Sequence, residues 1–285
     1  MRLGRDRELG PPPTTLPLGP GSVNRRVLRE PLVFASGGRA LLMQVAHPLV
    51  AAAVVQHSSF ERDPWRRLAR TLVVMDRMVF GSPSVSARQA RSLTRLHSTI
   101  TGRSSEGATY SATQPDLLAW VWATLVDTAL VAFESARGRL SQAERERYYE
   151  EQKLVARACG VPPSSCPSTI CDFEVYLSRS IAEDLQVTAE AKAIASAVLR
   201  PPIREPFGIV ATGPFHLLTI GLLPESLRDP YELSWSPAHE ELLQVWLLGS
   251  RWANAVLPDH VRNMALSLLR PAMALAIDQR ITSSG

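Results

Sequence analysis

Apolar positions recur along most of the chain with the period of an α-helix, and local signals mark where the helices begin and end. Asp63 and Pro64 are typical N-cap and N1 residues and Gly81 follows the last apolar position, which predicts a helix over 64–80. The same signals predict helices over 87–101 (ended by Gly102), 113–137, 141–160, 169–184 and 188–199. Alternating strand patterns are rare, so we predict an all-α protein.

Proline-rich segments flank and interrupt this helical body. Residues 1–22 are rich in proline and glycine and are predicted to form an arm, while residues 23–285 form one helical domain. The prolines return over 201–230 around a short apolar segment, 215–223, which predicts an irregular crossover. A helical pair is predicted to follow, with Ser236 and Pro237 starting the first helix, Pro258 interrupting, and 261–277 forming the second.

Composition narrows the class of protein. The 285 residues are 45% hydrophobic, enough to bury a core, and the net charge is only +4 with its basic excess scattered, which argues against a nucleic-acid partner. The three cysteines form no C-x-x-C pair, which is typical of small core residues in a reducing compartment. The apolar stretches 40–55 and 117–133 are interrupted by polar residues, so we expect a cytoplasmic protein without a transmembrane segment.

His97 is the first candidate for chemistry. Common metal and nucleophile motifs, such as H-E-x-x-H and G-x-S-x-G, do not occur in the sequence. On the predicted helix 87–101, Leu93, Leu96, His97 and Ile100 follow the i, i+3, i+4, i+7 spacing, so the imidazole is expected on the buried face. A buried imidazole needs a partner, which is either a metal such as iron or an ordinary hydrogen-bonding group, and spacing alone leaves both open.

Arg67 and Thr71 form a second candidate pair. They lie four residues apart, on the same predicted helix face as the apolar residues Val74, Met75 and Met78. A guanidinium there needs an anion, such as a haem propionate or a buried carboxylate, or it must reach solvent.

His47, directly before Pro48, is the rival ligand. Its alternative role is to hydrogen-bond at the break that the proline makes in the helix. His57 is expected at a helix end, from which it could line a pocket, and His216, His239 and His260 are expected at the surface.

Several motifs in order carry a resemblance to a known family. AHPLVAAAV, HSSF, DPWRRLART, the Phe80-Gly81 pair and RLHSTITG are followed by Tyr110-Ser-Ala, YYEEQKLVARACGVP and LPESLRDPYELSW. Their order and spacing over about residues 25–270 resemble the family that groups the oxygenase MpaB with latex clearing protein, the rubber oxygenase.

The resemblance implies a globin-like helical core around haem b. It puts the family's R-x-x-x-T signature on Arg67 and Thr71 and its proximal iron ligand on His97. Where latex clearing protein has a lysine that can cap the distal side of the iron, this chain has Arg70, which cannot lose its proton. The implied catalytic set is Arg67, Arg70 and Thr71, and the cofactor-binding set is His97, Arg67, Thr71 and, as the rival, His47.

The function that the resemblance implies is a haem-dependent oxygenase. Its expected partners are a hydrophobic terpenoid- or polyketide-like substrate, O2 and, as an open alternative, a second copy of the chain. Oxidative cleavage of a C=C bond is the expected reaction, with desaturation, hydroxylation and peroxidase-like turnover as alternatives. Two other hypotheses stand beside it: a haem-free helical binding protein, and a haem carrier or O2-binding protein without turnover.

Overall fold

The computed structural model describes residues 18–58, 64–200, 207–258 and 261, and it describes the backbone alone for 64–67 and 207–212. Within these ranges the chain forms thirteen α-helices and one two-stranded antiparallel hairpin, which confirms the predicted all-α class. The helices are α1 (Val23–Leu28), α2 (Pro31–Ala35), α3 (Gly37–Val45), α4 (Pro48–His57), α5 (Pro64–Phe80), α6 (Pro83–Ser98), α7 (Pro115–Arg137), α8 (Gln142–Ala158), α9 (Ile170–Glu183), α10 (Ala189–Val198), α11 (Phe207–Gly221), α12 (Glu225–Arg228) and α13 (Pro237–Val256). The strands are β1 (Thr101–Arg103) and β2 (Thr109–Ser111).

Side-chain caps set several helix starts where the sequence predicts them. Ser141 accepts a hydrogen bond from the backbone of Glu144, whose carboxylate returns to the Ser141 backbone, and this capping box begins α8. Thr169 and Asp172 begin α9 in the same way. Ser236 begins α13, as predicted.

Helix α7 forms the centre of the fold. It is apolar around most of its circumference and packs against α1, α2, α3, α8 and α13. Trp122 on α7 lies 5.9 Å, between ring centroids, from both Tyr149 of α8 and Phe173 of α9. This aromatic cluster anchors the two later helices to the central one.

A buried ion pair fixes α3 against α7. The guanidinium of Arg39 lies 2.7 Å from the Asp127 carboxylate, and it also donates to the Thr128 hydroxyl and to the Leu222 carbonyl. Because every partner is inside the fold, this network positions α3, from which the chain turns into α4.

The start and end of α6 differ from the prediction of 87–101. The helix begins at Pro83, since Ser82 and Pro83 act as N-cap and N1, and it ends at Ser98. Thr101–Arg103 then pairs with Thr109–Ser111 as the hairpin, which the sequence did not predict. Gly102 does not end the helix. Glycine is needed there because the Tyr110 side chain lies so close that a Cβ would be 2.5 Å from its hydroxyl.

The predicted irregular crossover over 201–230 was also wrong in part. Phe207–Gly221 is a continuous helix with Pro214 inside it, and the buried side chains of Leu217 and Leu218 hold it in the fold. Gln114 rather than Thr113 is the N-cap of α7. Beyond Val261, the predicted second helix of the C-terminal pair lies outside the described residues. Most of the predicted N-terminal arm also lies outside them.

Candidate functional site

An apolar cavity of about 500 Å³ lies between α4, α5, α6 and α7, beside strand β2. This volume is in the range of roughly 300–1,000 Å³ that small-molecule sites occupy. Aliphatic side chains form most of its wall: Leu49, Val50, Ala53 and Val54 of α4, Val74 and Met75 of α5, Leu93 and Leu96 of α6, and Leu117, Leu118, Val121 and Leu125 of α7. The cavity therefore suits an apolar ligand.

Three of the site residues predicted from the sequence line this cavity together. Arg70 and Thr71 reach it from α5 and His97 reaches it from α6. The two helices pack along each other because only Gly81 and Ser82 connect them. Arg70 is exposed, while Thr71 and His97 are half-buried. Arg67 lies one turn before Thr71 on α5, and its side chain is outside the described part of the structure.

The face of α6 that carries His97 is less buried than its spacing predicts. The close-packed residues of α6 are Ser86, Ala87 and Ala90, near its start. Further along, His97 is half-buried and Leu96 is 53% exposed, so the expectation of a fully buried face was wrong. The physical reason is that this part of the helix borders a cavity.

His47 has a different role from His97. Helices α3 and α4 meet at an angle of 107°, and His47 is the N-cap residue at the corner, directly before Pro48. Its Nδ1 accepts a hydrogen bond from the Leu49 backbone N–H at 3.2 Å. Burial lowers the pKa of His47, although Asp116 and Asp184 act to raise it. The ring is not part of the described cavity wall, and capping is the role that its position supports.

Two more polar residues line the cavity, one at the end of α4 and one in the hairpin. His57 is the last residue of α4, as expected, and its Nε2 lies 2.9 Å from the Thr101 carbonyl oxygen. Tyr110 donates its hydroxyl proton to Gln56, 2.7 Å away. Both His57 and Tyr110 line the cavity, so the hairpin that the sequence did not predict supplies part of the site.

Two further polar atoms belong to the cavity wall. The indole N–H of Trp122 is buried and has no acceptor among the described residues, a state that a polar ligand atom would relieve. Burial raises the pKa of the Cys159 thiol to about 12, so it stays protonated near neutral pH and is a poor nucleophile. All three cysteines are free, and Cys171 is exposed, against the expectation of a core position.

The remaining histidines, His216, His239 and His260, were all expected at the surface. His239 is exposed at the start of α13, as expected. His216 lies inside α11, half-buried against the Leu199 carbonyl, so its expected surface position was wrong. His260 lies outside the described residues.

A second cleft, of about 720 Å³, lies between the end of α7 and α13. Arginines line it, but carboxylates already neutralise two of them: Arg145 pairs with Glu134 and Glu174, and Arg137 pairs with Glu30. Its wall is open and carries no histidine. The apolar cavity is therefore the better candidate site.

Positive charge is concentrated beside the apolar cavity rather than scattered. Residues 64–103, which form α5, α6 and β1, contain eight arginines and one acidic residue, Asp76. Arg88, Arg91 and Arg95 are exposed along α6. A rim of this kind attracts anionic groups to the cavity.

One described helix, α7, is long and apolar enough to cross a membrane by length and composition. However, 72% of its apolar window is buried inside the protein. The bent pair of α3 and α4 also passes the test if the two helices are taken as one span. Such helices are weak evidence for a membrane span, because a core helix has the same properties.

The sequence is similar to two proteins of mycobacteria. An uncharacterised protein of Mycobacterium bovis and one of Mycobacterium tuberculosis are each 27% identical to it over 229 residues, covering 76% of this chain and 87% of the relative. No solved structure matches the chain significantly.

A family match extends over most of the chain. Residues 24–252 match the family described as "ER-bound oxygenase mpaB/B'/Rubber oxygenase, catalytic domain". This range contains every helix from α2 to α12 and the whole described cavity wall. The chain therefore belongs to the family of ER-bound oxygenase mpaB/B' and rubber oxygenase catalytic domains.

Proposed function

We propose that this protein is a haem-b-dependent oxygenase that oxidises an apolar, terpenoid- or polyketide-like substrate. Family membership supports the oxygenase class. The observation that carries the finer proposal is that His97, Thr71 and Arg70 line the same apolar cavity. An axial ligand, polar and cationic anchors and an apolar wall are what a protein contributes to a haem pocket.

The donor set of the cavity fits haem better than a metal held by side chains alone. Among the residues that the structure describes, no three His, Cys, Asp or Glu side chains lie close enough to hold a metal ion. Metal sites built from side chains generally need three or four such ligands. Haem iron needs one axial ligand from the protein, and a single histidine such as His97 is sufficient.

Each residue has a distinct role in this proposal. His97 would hold the iron. Arg70, together with Arg67 as the resemblance implies, would donate charge-assisted hydrogen bonds to the propionates. The Thr71 hydroxyl would hold a polar atom of the cofactor at the wall. An arginine side chain offers N–H donors and no acceptor, so Arg70 would serve as an anchor and not as a distal ligand. When bound, the cofactor supplies the activation of O2.

The proposed reaction is the cleavage of one C=C bond by O2. The two oxygen atoms end on the two former alkene carbons, which gives two carbonyl groups and consumes no external reductant. The aliphatic side chains of α4 and α7 hold the alkene and exclude water. Both the reaction and the globin-like arrangement rest on the resemblance to the family.

An absorption spectrum tests the cofactor directly. Purified protein, supplied with haem, is expected to show a Soret band that His97→Ala loses and His47→Ala keeps. Imidazole added to His97→Ala is expected to restore the band, because the cavity leaves room for a replacement ligand. Circular dichroism of each variant separates loss of the ligand from loss of the fold.

The outcomes distinguish the competing functions. A folded protein that stays colourless with excess haem would support a haem-free binding protein. A haem protein that consumes no O2 and forms no carbonyl products from terpenoid alkenes would support a carrier. Equal spectra for His97→Ala and wild type would remove His97 from the proposal.

A further inference from the structure

Helix α13 carries an apolar face that the described part of the chain leaves uncovered. Its buried residues, Leu243 and Leu247, belong to a buried cluster with side chains of α2, α7 and α11. On another face, Trp252 and Val256 are each 70% exposed. We call this face the α13 stripe. It consists of the exposed residues Leu242, Val245, Trp246, Gly249, Trp252 and Val256 and the half-buried Ala253.

The spacing of the α13 stripe is that of a helix-pairing seam. Leu242, Val245, Gly249, Trp252 and Val256 follow alternating steps of three and four residues, as a and d positions do in coiled coils. The seam extends over about 21 Å of helix at roughly 1.5 Å per residue. A continuous apolar stripe of this kind on a folded protein indicates an interaction surface.

The α13 stripe is symmetric about Gly249. Trp246 and Trp252 lie three residues to either side of it, and Leu242 and Val256 lie seven residues to either side. When two such helices cross antiparallel at Gly249, each Leu242 lies opposite a Val256, and each Trp246 lies at the same level along the helix as the Trp252 of the other copy. A surface that fits a copy of itself in this way is what a two-fold interface requires.

Gly249 itself points to a close approach by another chain. It lies inside a helix, where glycine is less stable than alanine, and its φ is not positive. A Cβ at this position would meet nothing within 4 Å among the described residues, so packing against that part of the chain does not require glycine. A missing side chain at the centre of the stripe lets two helix backbones cross closely.

The charges of α13 favour a second copy over a lipid surface. The helix contains Glu240, Glu241 and one arginine, Arg251, whose Nε donates to the Ser135 carbonyl. Helices that lie on anionic membranes are rich in lysine and arginine on their polar face, and this helix is not. Exposed tryptophans at the centre of a patch are instead typical of protein interfaces.

We propose that the α13 stripe is a homodimer interface in which α13 of each copy crosses the other antiparallel at Gly249. The proposal is independent of the cofactor. It concerns α13, whereas the cavity is formed by α4 to α7.

The mass of the full chain in solution tests it. Light scattering after gel filtration is expected to give about 63 kDa, twice the 31.3 kDa of one chain. Val256→Glu is expected to give the single-chain mass. Val175→Glu is the matched control, because Val175 is a helical valine that is 69% exposed on α9, and this variant is expected to stay dimeric.

Cysteine cross-linking tests the crossing in the Cys171→Ser background, which removes the exposed native thiol. A mixture of Leu242→Cys and Val256→Cys is expected to form a disulfide-linked dimer under mild oxidation, and neither variant is expected to do so alone. Self-linking of Leu242→Cys would overturn the antiparallel crossing. A wild-type mass of 31.3 kDa at all concentrations would overturn the dimer. The α13 stripe would then be covered by residues 262–285, by another protein or by a bilayer.

Discussion

His97 and His47 differ in their surroundings. His97 borders an apolar cavity beside Arg70 and Thr71, where a ligand can reach it. His47 already uses Nδ1 to cap α4. Both are half-buried, so burial does not separate them, but of the two only His97 lines the cavity in which we propose that haem binds.

The capping role of His47 predicts a pH-dependent loss of stability. Burial lowers the pKa of His47 below its ordinary value of 6.5, so below that pH the unfolded chain binds the proton more readily than the folded one. Protonation also removes the Nδ1 acceptor. The stability that neutral His47 contributes is therefore present above pH 6.5 and lost as the pH falls below it.

Thermal unfolding of His47→Asn measures this effect. Asparagine can cap the helix but does not titrate, so the variant is expected to lose less stability than wild type between about pH 7.5 and pH 5. An identical pH dependence of the two unfolding midpoints would show that His47 does not contribute.

At the scale of the elements, the hairpin is joined to α4 by its close contacts. Gln56 donates to the Arg103 carbonyl at 2.8 Å and accepts from Tyr110, and Gly102 lies against both side chains. The hairpin therefore holds its place at the cavity through α4 as much as through its own short ladder.

Gly102→Ala is expected to destabilise the protein by about 1–3 kcal/mol, the usual cost of overpacking. The added methyl would lie 2.5 Å from the Tyr110 hydroxyl and 2.6 Å from Gln56 Oε1. Gly21→Ala, before α1, is the control, because a Cβ there meets nothing within 4 Å among the described residues and the φ of Gly21 is not positive. Chemical denaturation measures both, and equal effects would contradict the packing argument.

The start of α8 offers a second test at this scale. Ser141→Ala removes the side-chain acceptor for the Glu144 N–H, and we expect a loss of about 1 kcal/mol in the free energy of unfolding. Ser141→Asp should retain most of the stability, since aspartate also caps. A loss from Ser141→Asp as large as that from Ser141→Ala would show that the cap is not the cause.

At the scale of the whole molecule, α7 is both the centre of the core and one wall of the cavity. Ala123 and Val126 are fully buried in the core, while Val121 and Leu125 are partly buried and line the cavity. The same helix thus joins the stability of the fold to the shape of the site.

A substitution that fills the cavity is expected to weaken haem binding without lowering the folded stability of the protein. Val121→Trp adds a ring to the void, so we expect little loss of folded stability but a loss of haem binding by at least about tenfold, or ~1.4 kcal/mol. Leu125→Met, which conserves volume, should bind as wild type does. Haem titration and thermal unfolding of the two variants check this, and undiminished binding by Val121→Trp would place the ligand elsewhere.

Local signals were sufficient for much of the helical framework. Ser141 and Thr169 define helix starts through hydrogen bonds within one turn, so their effect is independent of the rest of the fold. Residues that depend on distant partners were harder to predict. Pro214 is tolerated inside α11 in a region predicted to be irregular, and the strand at 101–103 exists because Thr109–Ser111 pairs with it.

The amino-acid sequence by itself determined the all-α class, the approximate boundaries of α5 and of α7 to α10, and the residue types at the candidate site. Helical periodicity indicates which side of α6 is apolar, but it does not indicate whether that side packs against another helix or borders a cavity. Only the tertiary structure decided that His97 faces a cavity with Arg70 and Thr71, that His47 caps a helix, and that the α13 stripe is exposed. The reason is that burial depends on the opposing surface, which elements distant along the chain supply.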